Sequence, residues 1–199
     1  MNIFFLDCET TGVPIDYKAS YTDVDNWPRV ISLAWILARQ NSTVISEQHK
    51  LIKPDGWQMP TDPFWSNNGF TQERSLAHGY RIRDVLTEMM EDLREATVLV
   101  AHNINFDHRI VWAELIRAGM EPRSGMHKIC TMIKGTSLCQ IPGVRYGYKW
   151  PKLEELYEFL FQKPMEGAHN AKTDVTATKD CFFEMLKRNA VQLPAEVGF

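Results

Sequence analysis

Three segments with strand patterns fill the first 53 residues, before any helical pattern appears. They lie at residues 1–6, 29–38 and 43–53, and polar, turn-rich residues separate them. Apolar or alternating runs bounded by turn residues are typical of β-strands. Strands that follow one another without a helical crossover pair antiparallel, so this order predicts a three-strand antiparallel meander.

Helical and strand patterns alternate in the rest of the chain. Helical spacing marks residues 71–78, 83–95, 103–118, 153–162 and 170–189. Short strands are predicted at 97–101 and 128–131, and the second of them leads into a short helix. The stretches at 16–28, 55–70 and 139–150 have the composition of loops. Three strands followed by alternating strands and helices predict one α/β domain over residues 1–199, with a mixed five-stranded sheet flanked by helices.

Composition argues against several classes of protein. The net charge of −3 gives no strongly basic signature for nucleic acid, although clustered acids would hide a basic patch. No apolar run reaches the roughly 20 residues of a membrane span, and the first residues do not resemble a signal peptide. We therefore expect a cytoplasmic protein with no membrane partner. Its four cysteines lack zinc-site spacing and are expected to be reduced thiols.

The stretch FFLDCETTG, residues 4–12, ends an apolar run with two carboxylates. Side chains alternate faces along a strand, so Asp7 and Glu9 point the same way and Cys8 points into the core. Two like charges at the end of a buried strand repel each other and lose hydration. A cation between them, or a shared proton, is therefore expected.

Two further acids fall on the apolar faces of predicted helices. Asp107 shares a helical face with Ile104 and Val111. Asp174 shares one with Ala171 and other apolar residues of the last helix. Taken alone, each is more often a structural acid, paired with a base or capping a helix, than a functional one.

Four acids on three elements, Asp7, Glu9, Asp107 and Asp174, favour one shared site. Four separate buried ion pairs would need four inward-facing bases, and the sequence offers no matching set of Lys or Arg. Hard cations such as Mg²⁺ or Mn²⁺ prefer carboxylate ligands, and two ions about 3.5–4 Å apart are typical of phosphoryl displacement. Two such ions are therefore predicted, with scattered structural ion pairs as the alternative.

His169 is the candidate base of this site. It stands five residues before Asp174, just ahead of the last predicted helix. An ordinary imidazole titrates at about pH 6.5, which suits removal of a proton from an activated water. The other five histidines, His102 beside Asn103 included, are expected to be surface or hydrogen-bonded residues.

Three motifs resemble those of the DEDD superfamily of 3′→5′ exonucleases. DCETTG at residues 7–12 is similar to its first motif, LVAHNINFD at 99–107 to its second, and HNAKTD at 169–174 to its third. A His separated from the last Asp by four residues marks the DEDDh branch, which includes the epsilon proofreading subunit of bacterial DNA polymerase III and ribonuclease T. The DEDDy branch has a Tyr nearer that Asp, and none stands there.

The resemblance implies an RNase H-like fold and separate roles for the acids. Asp7, Glu9 and Asp174 would bind the first Mg²⁺. Asp7 would also reach the second ion, and Asp107 would bind its water shell or complete the cluster. His169 would be the general base for the attacking water.

The resemblance also implies contacts to the 3′-terminal nucleotide. Thr10, Thr11, Gly12 and Val13 would hold it through backbone contacts and apolar packing. Support for the site and for the terminal sugar or base would come from Asn103 and Phe106.

The predicted function is metal-dependent hydrolysis of the terminal phosphodiester of single-stranded nucleic acid, with DNA favoured, to release nucleoside 5′-monophosphates. Single-stranded 3′ ends are the expected partner, and a DNA polymerase acting in trans is a candidate partner. Asn68 and Lys172 stand where the family often has His and Leu, which weakens a specific assignment as a proofreading subunit. The alternatives are a 3′→5′ exoribonuclease of the same family and a non-cleaving module that binds nucleic acid or a polymerase.

The predicted loop at residues 139–152 interleaves aromatic and basic side chains. They are Arg145, Tyr146, Tyr148, Lys149, Trp150 and Lys152. Such interleaving is typical of surfaces that bind single strands. A solvated loop that packs its aromatic side chains on the domain would have the same pattern, and the sequence leaves both interpretations open.

Overall fold

A computed structural model of the chain describes residues 1–144, 146–167 and 170–195. Its centre is a five-stranded sheet with the strand order β3-β2-β1-β4-β5. The strands are β1 (Asn2–Thr10), β2 (Val30–Arg39), β3 (Val44–Leu51), β4 (Val98–Ala101) and β5 (His127–Cys130). β2 pairs antiparallel with β1 and β3, whereas β4 pairs parallel with β1 and β5. The predicted meander and the mixed five-stranded sheet are confirmed.

Helices in the described part of the chain flank this sheet. They are α1 (Pro63–Asn67), α2 (Gln72–His78), α3 (Ile82–Arg94), α4 (Ile104–Arg117), α5 (Thr131–Cys139), α6 (Leu153–Phe161) and α7 (Ala171–Lys187). A short 3₁₀ turn also lies in the connection between β1 and β2. Among the residues described, we find no helix whose length and apolar character would let it span a membrane.

Two apolar layers cover the two faces of the sheet, and β1 contributes to both by alternation. Phe4 and Leu6 pack in the layer that contains α3 and α4. Ile3 and Phe5 pack in the layer that contains α6 and α7. Odd-numbered side chains of β1 therefore face α7, which fixes the direction of the next odd-numbered residues along the strand.

The strand β1 is longer than predicted. The sequence indicated a strand that ends at Asp7, but pairing with β2 continues through Asp7 opposite Ala34 and Glu9 opposite Ser32. The backbone hydrogen bonds offered by β2 extend the strand through residues whose own preference for strand is low. Both carboxylates consequently stand on a regular strand rather than on a turn.

The predicted loop at residues 55–70 contains a helix, α1. Asp62 caps it by accepting a hydrogen bond from the Phe64 N–H (2.8 Å), and Pro63 occupies its first turn. Both are ordinary helix-start signals. Elsewhere the helix signals were interpreted correctly, since Thr71 caps α2 by accepting the Arg74 N–H and Gly119, with φ +67°, follows the end of α4.

Candidate functional site

The carboxylates of Asp7 and Glu9 project from the same face of β1, as the alternation predicts. That face is the one covered by α7, which begins after the capping residue Asn170. The Asn170 side chain accepts the Lys172 N–H at 3.0 Å and so fixes the first turn, which carries Asp174. Carboxylate oxygens of Asp7, Glu9 and Asp174 all lie within 4.8 Å of one another. Three predicted site residues from two distant parts of the chain are thereby brought together.

Asp107 approaches this group from the other face of the sheet. It lies in the first turn of α4 and is buried, with 4% of its surface exposed. One of its oxygens accepts the Cys8 backbone N–H at 3.0 Å and the Cys8 thiol at 3.4 Å. The sequence placed Cys8 in the core, which is confirmed, but its contact with Asp107 was not foreseen. Asp107 therefore braces the strand between Asp7 and Glu9, outside the three-carboxylate group.

Burial and mutual repulsion both make these acids harder to ionise. Burial raises the pKa of Asp7 well above its usual range, and neighbouring carboxylates raise it further. In decreasing order those carboxylates belong to Asp107, Asp174 and Glu9. Burial also raises the pKa of Asp107 to about 7, although the hydrogen bonds from Cys8 oppose the rise. Ionising these acids together is therefore costly without a cation, and bound cations would offset that cost.

The charged groups around Asp7 and Asp107 support this interpretation. Within the described part of the chain, no Lys or Arg forms a salt bridge with either carboxylate. The donor atoms that the three grouped acids offer are all carboxylate oxygens. Such a set suits Mg²⁺ or Mn²⁺ better than the softer transition metals.

The residues after Glu9 form a fixed turn beside the carboxylates. The Thr10 side chain is buried, and its hydroxyl donates to the Gly12 carbonyl at 2.7 Å. Thr11 is held twice by Arg29: its N–H donates to the Arg29 carbonyl and its hydroxyl accepts the Arg29 N–H. Val13, by contrast, is largely exposed. An anchored backbone with one exposed apolar side chain could receive a terminal base or sugar.

Asn103 and Phe106 lie at the start of α4, on the far side of Asp7. Asn103 is the residue before the helix and has left-handed dihedral angles (φ 64°, ψ 49°), which Asn tolerates better than most residues. Its carbonyl accepts the Phe106 N–H at 2.8 Å, and Phe106 packs against the apolar layer. Both residues hold the turn that presents Asp107. The predicted base, His169, lies outside the described residues.

Glu114 is a buried acid that the sequence analysis missed. Only 1% of its side chain is exposed, and it accepts both guanidinium hydrogen bonds of Arg29 (2.7 and 3.2 Å) and the Val30 N–H. It also pairs with Arg117 at 3.1 Å. Its spacing of seven residues from Asp107 put it on the same helical face, so the signal was present. Through Arg29, Glu114 supports the turn that holds Thr11.

Glu114→Ala is expected to lower the free energy of unfolding by about 3 kcal/mol, because Arg29 and Arg117 would remain partly buried without their shared anion. In a domain of this size that corresponds to a fall of about 6–12 °C in Tm. Glu88→Ala is the matched control, since Glu88 pairs with Lys50 at the surface, where ion pairs contribute at most about 1 kcal/mol. Equal losses in the two variants would contradict the role given to Glu114.

His102 is a hydrogen-bonded structural residue, as the sequence analysis expected of histidines other than His169. One ring nitrogen contacts the Thr131 hydroxyl at 3.0 Å, and the other lies 3.1 Å from the Pro151 carbonyl, to which it donates. Burial lowers the pKa of His102 to about 4, despite the opposing effect of the Pro151 contact. The neutral ring therefore joins the end of β4 to the segment before α6.

This burial predicts an acid-dependent loss of stability. The unfolded chain takes up a proton at about pH 6.5, whereas folded His102 does so only near pH 4. The stability that depends on the neutral ring is thus present above about pH 6.5 and lost as the pH falls towards 4. We expect His102→Gln, which keeps a donor for Pro151, to lose less unfolding free energy than wild type between pH 7 and pH 4.5 in denaturant titrations. Identical losses would contradict this role of His102.

Residues 4–182 match the exonuclease family RNase_T, which is most of the chain. The chain belongs to this exonuclease family. Its motifs are those of the DEDDh branch of 3′→5′ exonucleases, so the resemblance stated from the sequence is confirmed. Curated protein sequences give no significant match.

Solved structures of E. coli exonuclease I share the fold of this exonuclease domain. Its complex with a dT13 oligonucleotide has a TM-score of 0.72 at 17% identity, covering 94% of this chain and 41% of exonuclease I. The dA16 complex gives 0.73 at 17% identity, and a zinc-bound complex with single-stranded DNA gives 0.72 at 17%, each with the same coverage of 94% and 41%. The chain thus spans 41% of the length of exonuclease I. At this identity the likeness establishes the RNase H-like fold that the resemblance implied.

Proposed function

We propose that this chain is a metal-dependent 3′→5′ exonuclease that hydrolyses the terminal phosphodiester of single-stranded nucleic acid and releases nucleoside 5′-monophosphates. One observation carries the proposal. In a chain of an exonuclease family, Asp7, Glu9 and Asp174 place carboxylate oxygens within 4.8 Å of one another. The raised pKa of Asp7 supports the proposal, because buried acids with strongly shifted pKa values beside other acids are typical of functional sites.

The four acids would hold two ions of Mg²⁺ or Mn²⁺. Asp7, Glu9 and Asp174 would bind the first, while Asp7 and Asp107 would serve the second. Once bound, the two ions would activate the attacking water and stabilise the charge that develops on the leaving 3′ oxygen. The chain itself contributes the burial and the fixed strand and helix turns that hold these carboxylates in place.

His169 would take the proton of the attacking water. It directly precedes Asn170, whose cap on α7 fixes where the chain enters the helix that carries Asp174. This role of His169 rests on its position in the sequence, five residues before Asp174.

The turn after β1 and the start of α4 would bind the 3′ end of the substrate. The anchored backbone from Thr10 to Gly12 offers polar groups to the terminal nucleotide, and Val13 offers an exposed apolar surface. Asn103 and Phe106 would support the sugar or base from the opposite side. A site built for one unpaired nucleotide would favour single-stranded ends, because a paired base would first have to leave its stack.

DNA is the favoured substrate because exonuclease I, which shares the fold, has been solved with dT13 and dA16 oligonucleotides. The test compares initial rates on DNA and RNA oligomers of one sequence, each labelled at the 5′ end. Faster cleavage of DNA supports the proposal. Faster cleavage of RNA would favour the exoribonuclease, whose sites read the 2′-hydroxyl. Binding without cleavage of either would favour a non-cleaving module.

A further inference from the structure

Basic charge is concentrated in one segment of this acidic chain. Residues 122–153 hold six of the 22 Lys and Arg and none of the 25 Asp and Glu. The remaining residues therefore hold 16 basic and 25 acidic side chains. The negative net charge of the whole chain therefore does not reveal the local positive charge of this segment. Its composition is that of a surface that binds phosphates.

In the middle of this segment, residues 141–144 and 146–150 form the two sides of a hairpin, and residue 145 lies outside the described residues. The Lys149 N–H donates to the Ile141 carbonyl at 2.9 Å, and the Gly143 N–H donates to the Gly147 carbonyl at the same distance. Pro142 and Tyr148 form an antiparallel bridge. Lys149 also pairs with Glu155 of α6. We call this feature the aromatic hairpin, and these bonds give it a defined shape.

The aromatic side chains of the hairpin are largely exposed. Tyr146 is 99% exposed, Trp150 65% and Tyr148 51%. The described residues show no ring stacking or cation–π contact with any of the three. The interpretation of residues 139–152 as a loop that packs its aromatic residues on the domain is therefore wrong for Tyr146, whereas Tyr148 and Trp150 are partly covered. Exposed aromatic rings grouped on one hairpin usually mark a binding surface.

The base of the hairpin lies at the edge of the sheet that carries the acids. Phe5 is level with Val100 across β1 and β4, so Asp7 is level with His102 just beyond β4. His102 is hydrogen-bonded to the Pro151 carbonyl, directly after the hairpin. The hairpin thus ends beside the residue that follows β4, and β4 is the strand next to the one that carries Asp7 and Glu9. A single strand whose end occupied the carboxylate site could reach the hairpin from this edge of the sheet.

The exposed rings of the aromatic hairpin can stack with the bases of a nucleic acid. Single-strand binders combine basic side chains that follow the phosphates with aromatic rings on which bases stack. Here Tyr146, Tyr148 and Trp150 are accompanied by exposed Lys134 and Lys152. A segment with six basic and no acidic side chains favours a phosphate backbone over an uncharged apolar protein surface.

We propose that the aromatic hairpin binds single-stranded nucleic acid, with bases on the 5′ side of the terminal nucleotide stacked on Tyr146, Tyr148 and Trp150. The direction of the strand rests on the proposed function, because it assumes that the 3′ end occupies the carboxylate site. Binding by the hairpin itself does not depend on cleavage. The exonuclease would thereby hold a long strand more tightly than a dinucleotide.

The test measures binding in EDTA, where metal-dependent cleavage cannot occur, by fluorescence anisotropy of labelled (dT)12 and (dT)2. Tyr146→Ala is expected to raise the Kd for (dT)12 by about 5- to 150-fold, the effect of losing one stacked base. Tyr146→Phe keeps the ring and should bind as wild type does. Tyr80→Ala removes a tyrosine of similar exposure to Tyr148 from another part of the surface and should also leave the Kd unchanged. The Kd for (dT)2 should be the same in all four proteins.

Unchanged binding of (dT)12 by Tyr146→Ala and by Trp150→Ala would overturn the proposal and leave a protein as the occupant of this surface. An equal loss in Tyr80→Ala would overturn it as well. The result is separable from the proposed function. Binding that depends on the hairpin, without cleavage in Mg²⁺, would support the binding role of the hairpin and refute the exonuclease activity. Cleavage in Mg²⁺, with unchanged binding by the Ala variants, would support the exonuclease activity and refute the binding role of the hairpin.

Discussion

Asp7→Asn should lower the rate of oligonucleotide cleavage by about 10³-fold or more, because loss of bound cations removes several kcal/mol of transition-state stabilisation. The same change should leave the metal-free protein at least as stable as wild type. Burial and three neighbouring carboxylates hold the pKa of Asp7 well above its usual range, so a neutral amide of the same shape relieves repulsion. Cleavage assays and thermal denaturation in EDTA measure the two effects.

The control for this change is Asp180→Asn, on the same helix as Asp174. The Asp180 side chain is 43% exposed and pairs with Lys179, so its loss should change neither cleavage nor stability appreciably. Mg²⁺ or Mn²⁺ should raise the Tm of wild type and of Asp180→Asn but not that of Asp7→Asn, because only binding to the folded state stabilises it. A metal-free Asp7→Asn that is much less stable than wild type would instead favour the alternative of structural ion pairs.

His169→Ala should slow cleavage by about 10²–10⁴-fold, the usual contribution of a general base. Metal binding should survive, because the carboxylates of Asp7, Glu9 and Asp174 remain. The rise of Tm in Mg²⁺ should therefore match that of wild type while the rate falls. The pH–rate profile should also lose the acid limb that titration of the base produces in wild type.

His78→Ala is the control for the loss of an imidazole. His78 ends α2 at the surface, away from the four acids, so its removal should leave rate and pH profile unchanged. If His169→Ala cleaves at the rate of wild type, His169 is not the base. If it loses the metal-dependent rise in Tm as well, His169 acts through the metal site rather than by proton transfer.

Local patterns in the sequence were sufficient for much of the fold and for the central carboxylates. Strand alternation placed Asp7 and Glu9 on one face, and helical periodicity turned Asp174 towards them. Both inferences need only the geometry of a single element. The meander followed in the same way from the order of the strands and the turn residues between them.

Features that depend on contacts between distant elements were not predictable from the same patterns. β1 reaches Thr10 because β2 continues to pair with it, and Asp107 contacts Cys8 because α4 packs across the sheet. The pairing of Glu114 with Arg29 likewise joins residues 85 positions apart. Exposure of the aromatic hairpin depends on how the whole surface is assembled. The sequence alone therefore did not distinguish aromatic side chains that pack on the domain from aromatic side chains that face solvent.

The most direct test of the central claim follows a single-stranded DNA oligomer labelled at its 5′ end during incubation with the protein in Mg²⁺, in Mn²⁺ and in EDTA. The account predicts a ladder that shortens from the 3′ end in the presence of metal and disappears in EDTA. No shortening in either metal, or shortening that persists in EDTA, would contradict it.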